Sequence, residues 1–159
     1  MNFKNGKELL ELCDKENCAI SDIMILREAT GTDRPKDEIL RRMHRTWDIM
    51  KDSAVSPIHS PKKSIGGLIG GEARLLFEHQ APGKSLCGST LSRAITYAMA
   101  VIENSSSMGL IAAAPTACAS GIVPGVMPAL HKPHDHTDRT VRQPLFSARA
   151  ARYLAPPTP

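Results

Sequence analysis

Apolar residues in this chain recur mostly at steps of three and four, the spacing of a helix face rather than a strand. Residues 6 to 17 read as a short amphipathic helix, with Leu9, Leu10, Leu12 and Cys13 on or near one side. Ser21 can cap a second helix carrying Ile23, Met24 and Leu26, and Gly31 supplies a stop. Thr32 or Asp33 can cap a third, with Pro35 in its first turn. There Ile39, Leu40, Met43, Trp47, Met50 and Ala54 form one continuous face. These three elements predict an N-terminal helical bundle. Pro57 and Pro61 make the stretch from Ser56 to Ser64 a connector.

The next segment, SIGGLIGGEARLLFEH, places Gly66-Gly67 and Gly70-Gly71 four residues apart. On a helix these pairs would let another backbone approach closely. Glycine inside a helix costs about 1 kcal/mol relative to alanine, so four of them imply close packing or a ligand. A glycine-softened loop before a helix fits the same residues. Pro82-Gly83 marks a turn, and a strong helix follows from about Ser89 to Asn104. Its residues Leu91, Ala94, Ile95, Ala98, Met99, Val101 and Ile102 cover much of its circumference, which predicts burial on more than one side. Ser105 to Gly109 reads as a loop, and an apolar run then leads into Pro115-Thr116. From residue 131 onward the chain becomes basic and proline-bearing, a tail distinct from residues 1–130 and poorly suited to order. A helix from Thr137 to Leu154 is interrupted by Pro144. The fold class predicted is all-α, with glycine-rich packed core helices behind the N-terminal bundle.

Composition agrees with a helical protein. Aromatics make up only 4%, so the apolar material is mainly Ala, Leu, Ile and Met. The chain has 159 residues, enough for one domain with a moderate core. Its net charge of +4 permits nucleic-acid binding, but basic residues alternate with acids, as in Asp37-Glu38 beside Arg41-Arg42. No basic stripe interleaved with aromatics is present, so nucleic acid is not expected as a partner. From Asn104 to Leu130 no residue is charged. That length could span a bilayer, but Pro115, Pro124, Pro128 and three glycines would leave amides unpaired in lipid. No membrane partner is expected. The N-terminus has no apolar signal region, and Cys13, Cys18, Cys87 and Cys118 form no CxxC pair. They read as reduced thiols of a cytoplasmic protein.

From Ser64 onward the sequence resembles the alpha chain of the iron–sulfur-dependent bacterial L-serine dehydratases. That family carries a GGLxGG element, a helix ending near Asn-x-Ser-Met-Gly, and then Ala-Ala-Pro-Thr-x-Gly-x-x-Gly-x-x-Pro-Gly. Here these are Gly66 to Gly71, Asn104 to Gly109 with one residue more between the asparagine and the serine, and Ala113 to Gly125. The likeness covers most of residues 1–130. It extends loosely into the tail, where Arg149 and Arg152 stand in place of small residues.

The resemblance implies an L-serine ammonia-lyase, converting L-serine to pyruvate and ammonia. It implies a [4Fe-4S] cluster, one iron of which acts as a Lewis acid on the substrate. It also implies a partner chain, either a beta chain or a second alpha chain. The family's cluster cysteines lie beyond this chain's end, so its ligands are expected to be absent and the chain to be an incomplete catalytic unit. Substrate contacts are expected from Asn104, Ser107, Gly109, Pro115, Thr116 and Ser120. A broken apolar segment leaves amides and hydroxyls free to hold a small anion. Thr116 and Ser120 capping the next helix would be the plainer role. The catalytic base is not identifiable, and no metal ligand is assigned.

Cys118 replaces a family glycine and lacks partner spacing for a cluster. Cys13 reads as a core thiol, and Cys87 as packing at a helix start. His134 and His136 with Asp135 resemble a short metal motif, and Glu72 and Lys84 are further polar candidates. Three readings remain open: the lyase or a related cysteine desulfidase, an inactive helical fragment that binds a partner, and a small ligand-binding or regulatory module.

Overall fold

A computed structural model describes residues 3–80, 87–113, 120–130 and 138–154. The described residues hold seven helices and no strand. They are α1 (Gly6–Glu16), α2 (Ile20–Thr32), α3 (Lys36–His59), α4 (Glu72–Gln80), α5 (Ser89–Ser106), α6 (Ile122–Leu130) and α7 (Asp138–Leu154). The all-α expectation holds. The chain forms two compact units. One gathers α1, α2, α3 as far as Arg45, and α7; the other holds α3 from Thr46 onward with α4, α5 and α6.

Local capping chemistry sets the first helices. The Glu8 amide donates to Asn5 Oδ1 at 2.9 Å, and the Glu8 carboxylate accepts from the Lys4 amide at 2.7 Å. Helix α1 ends on Asn17 in the left-handed region, with Cys18 N–H donating to the Cys13 carbonyl at 3.1 Å. For α2 the cap is Ala19, not Ser21: Asp22 Oδ2 accepts from the Ala19 amide at 3.2 Å. Ser21 sits inside the helix and is buried. Gly31 does not stop α2, which ends two residues later at Asp33 with φ 50°.

The connector expected from Ser56 to Ser64 begins only at Ser60, because Ser56 to His59 form the last turn of α3, which carries Pro57 within it. Trp47, Met50, Ala54 and Ile58 are buried there at helical spacing. Ile58 packs with Ala73 of α4 and Ala100 of α5.

Pro144 does not interrupt α7. Phe146, fully buried, and Ala150 join Phe3, Leu9, Ile23, Met24 and Ile39 in one core. Arg149 of α7 pairs with Glu28 of α2 at 2.5 Å.

Helices α5 and α6 approach closely through small residues. A Cβ added to Gly125 would lie 2.9 Å from the Ala94 carbonyl oxygen and 2.9 Å from Ala98 Cβ. The Gly66–Gly71 pairs, by contrast, lie in a turn before α4 rather than on a helix. Their close approach is real at Gly70, where a Cβ would come 2.5 Å from the Lys62 carbonyl oxygen. Gly67, Gly70 and Gly71 all take positive φ, which a loop uses and a helix does not.

Candidate functional site

Helix α5 is apolar along most of its length and carries one acid, Glu103, near its end. The spacing of Thr96, Ala100 and Glu103 puts that acid on the buried face, and Glu103 is 2% exposed. A carboxylate in that position needs hydrogen-bond donors. It finds them at the start of α4, 30 or more residues earlier in the chain. The Ala73 amide donates to Oε1 at 2.6 Å and the Gly71 amide to Oε2 at 3.1 Å. Since Leu75 N–H donates to the Gly71 carbonyl, Gly71 is the cap residue of α4. Glu103 therefore fills the anion position that a helix N-terminus offers.

The glycine turn is closed by its own bonds. Ser64 N–H donates to the Ile69 carbonyl at 2.7 Å, and Ile69 N–H to Ser64 Oγ at 3.2 Å. Gly70 N–H donates to Glu72 Oε2 at 2.7 Å. The Glu72 carboxyl is held below its usual range, first by its own backbone amide, then by that of Gly70.

Helix α5 terminates in a double backbone bond. Met108 takes φ 62°, its amide donates to the Ser105 carbonyl at 3.1 Å, and the Gly109 amide to the Asn104 carbonyl at 2.7 Å. Asn104 Nδ2 then reaches past Gly109 to the Leu110 carbonyl at 2.8 Å. The Ser107 hydroxyl donates back to the Asn104 carbonyl at 3.1 Å, leaving its oxygen able to accept.

The ends of α3 and α5 meet at a polar cleft lined by Ser56, Pro57, Ser60, Lys62, Glu103, Asn104 and Ser107. About 20 Å³ of it admits the centre of a water molecule, room for about one water. The cleft thus brings two of the expected residues, Asn104 and Ser107, together with one cation and one buried carboxylate. Gly109 follows directly in the turn. Ser120 is buried just before α6 and does not line the cleft. Pro115, Thr116, Cys118, Lys84, His134, Asp135 and His136 lie outside the described residues. Sequence reasoning missed Glu103, Lys62, Ser56 and Ser60. The signal for Glu103 was present, as the single acid on the buried face of α5.

The described cysteines do not fit an iron–sulfur cage. Cys13 and Cys18 flank the end of α1, and burial, foremost, together with nearby acids pushes both thiols up, away from the thiolate a metal needs. Cys87 is exposed just before α5. Among the described residues no three His, Cys, Asp or Glu are grouped to hold a metal. Also among them, no helix is long and apolar enough to cross a membrane.

The family model for the serine dehydratase alpha chain matches residues 15–155. A probable L-serine dehydratase alpha chain of Bacillus subtilis is 35% identical over 152 residues, covering 96% of this chain and 50% of the relative. The L-serine dehydratase alpha chain of Peptoniphilus asaccharolyticus is 30% identical over 144 residues, covering 91% and 49%. The L-serine dehydratase TdcG of Escherichia coli is 27% identical over 157 residues, covering 96% and 32%. The chain thus spans about half the length of the two alpha chains it matches. No solved structure matches it significantly.

Proposed function

The chain belongs to the serine dehydratase alpha-chain family, and on that basis we propose that it forms the substrate-binding part of an L-serine ammonia-lyase. The reaction removes water from L-serine to give aminoacrylate, whose hydrolysis returns the water and releases pyruvate and ammonia. The iron–sulfur cluster of such an enzyme would be held by residues other than the described cysteines. A beta chain or a second alpha chain is the partner this reading calls for.

The observation that carries the reading is the cleft at the ends of α3 and α5, where Lys62, Asn104 and Ser107 converge. L-serine is a zwitterion with a hydroxyl. The Lys62 ammonium suits its carboxylate. Asn104 Oδ1 and the Ser107 oxygen suit its ammonium group as acceptors. Gly109, bonded through its amide to the Asn104 carbonyl, follows these two residues in the turn after α5. At about one water in volume, the cleft is one edge of the binding surface.

A specific observation favours a second reading, a partner-binding module without turnover. Leu91, Ile95, Met99 and Ile102 on α5, with Ile122, Val126 and Leu130 on α6, are exposed apolar residues at helical spacing.

Calorimetric titration of the chain with L-serine tests the first reading, alongside pyruvate formation after anaerobic expression with iron and sulfide. Saturable L-serine binding that is lost in Asn104→Ala supports it. Absence of both binding and pyruvate leaves the partner-binding reading.

A further inference from the structure

Glu103 does more than close a helix end. Its carboxylate takes the Gly71 and Ala73 amides at 3.1 and 2.6 Å while the residue itself is 2% exposed. Gly71, at φ 107°, is joined to Gly70, at φ 145°, and Gly70 packs on the Lys62 carbonyl so tightly that a Cβ would come within 2.5 Å. Lys62 lines the cleft. In the other direction Glu103 adjoins Asn104, whose side chain holds the Leu110 carbonyl. One buried carboxylate therefore sits between the two segments that supply the cleft's polar groups, the turn after α3 and the turn after α5.

We infer that Glu103 is a positioning residue, fixing the glycine turn against the Asn104–Gly109 turn so that Lys62, Asn104 and Ser107 face one cleft. The inference rests on the substrate reading above only for what the cleft binds. Two backbone donors on one carboxyl group fix direction as well as distance, because each oxygen takes its own amide. The neighbouring Glu72 carboxylate caps Gly70 from outside, so the turn is gripped by two acids at successive amides. A residue that only capped α4 would leave the far turn indifferent to its loss.

The test is amide hydrogen exchange by NMR on the full chain and on Glu103→Gln, with L-serine titrations of both. Glutamine keeps the volume but presents a donor to one of the two amides. The expected result is faster exchange at Gly71 and Ala73, and also at Ser64 and Gly109. Those two amides make no bond to Glu103; they donate to the Ile69 and Asn104 carbonyls. L-serine affinity should fall on the order of tenfold. Faster exchange confined to Gly71 and Ala73, with unchanged affinity, would reduce Glu103 to a helix cap and overturn the inference. If the parent chain binds no L-serine, the substrate reading fails by itself, and exchange at Ser64 and Gly109 still decides the positioning role. Should Glu103→Gln fail to fold, Glu103→Asp is read the same way. Loss of folding in both would mark Glu103 as a determinant of the fold and also overturn the inference.

Discussion

Asn104 lies directly over Gly109: its side-chain amide crosses the glycine to reach the Leu110 carbonyl at 2.8 Å, and a Cβ on Gly109 would collide with Asn104 Oδ1. Gly109→Ala should therefore destabilise the chain by about 1–3 kcal/mol through overpacking. Urea unfolding of Gly109→Ala, Asn104→Ala and the double variant checks this. The pair should be strongly non-additive, because removing the Asn104 side chain removes the clash. Additive costs would show that the two residues do not meet.

Gly125 sits where α6 packs closely on α5, with the Ala94 carbonyl and Ala98 Cβ both at 2.9 Å from a would-be side chain. Gly125→Ala should lower stability by about 1–3 kcal/mol. Gly31→Ala, where a Cβ meets nothing within 4 Å, is the matched control and should be neutral or mildly stabilising. Equal midpoints for the two variants in denaturant would contradict the close packing.

Phe146 is fully buried in the core shared by α1, α2 and α7. Phe146→Ala should cost about 3–5 kcal/mol. The circular-dichroism signal of unfolding reports it. A loss under about 1 kcal/mol would mean that α7 contributes little to that core.

Glu72 has a folded pKa lowered beneath the ordinary glutamate value of about 4.3. Its contribution to stability is therefore present above that value and lost as pH falls through the lowered folded pKa. Glu72→Gln should flatten the acid limb of a stability–pH curve while leaving its slope above pH 6 unchanged. An unchanged acid limb would remove Glu72 as a contributor.

Burial, with acids nearby, pushes the Cys13 and Cys18 thiols up, whereas Cys87 is exposed. Alkylation by iodoacetamide at pH 7.5 requires thiolate and access. Peptide mapping should find Cys87 modified well before Cys13 and Cys18. Faster labelling at Cys13 would show that α1 opens readily.

Most helices were legible because periodic apolar positions and caps are local features. Leu9, Ile39, Trp47 and Met50 announce buried faces by spacing alone, and the Asn104 to Gly109 end of α5 was readable as a motif. Of the expected site residues, Asn104 and Ser107 line one cleft, while Ser120 is buried elsewhere. Lys62 and Ser56 escaped notice because nothing local distinguishes them from surface polar residues. The family resemblance narrowed the chemistry further than spacing could.

The sequence by itself determined the helical class, the position of most helices and the family. Each of these follows from residue periodicity or from motif identity. Only tertiary structure decided that Pro57 and Pro144 sit within helices, since packing of Ile58 and of Phe146 outweighs the lost backbone bond. It also decided that the glycine pairs form a turn, and that Glu103 holds that turn from 30 residues away. A buried carboxylate announces its need for donors in the sequence, but which amides answer depends on how the chain folds back.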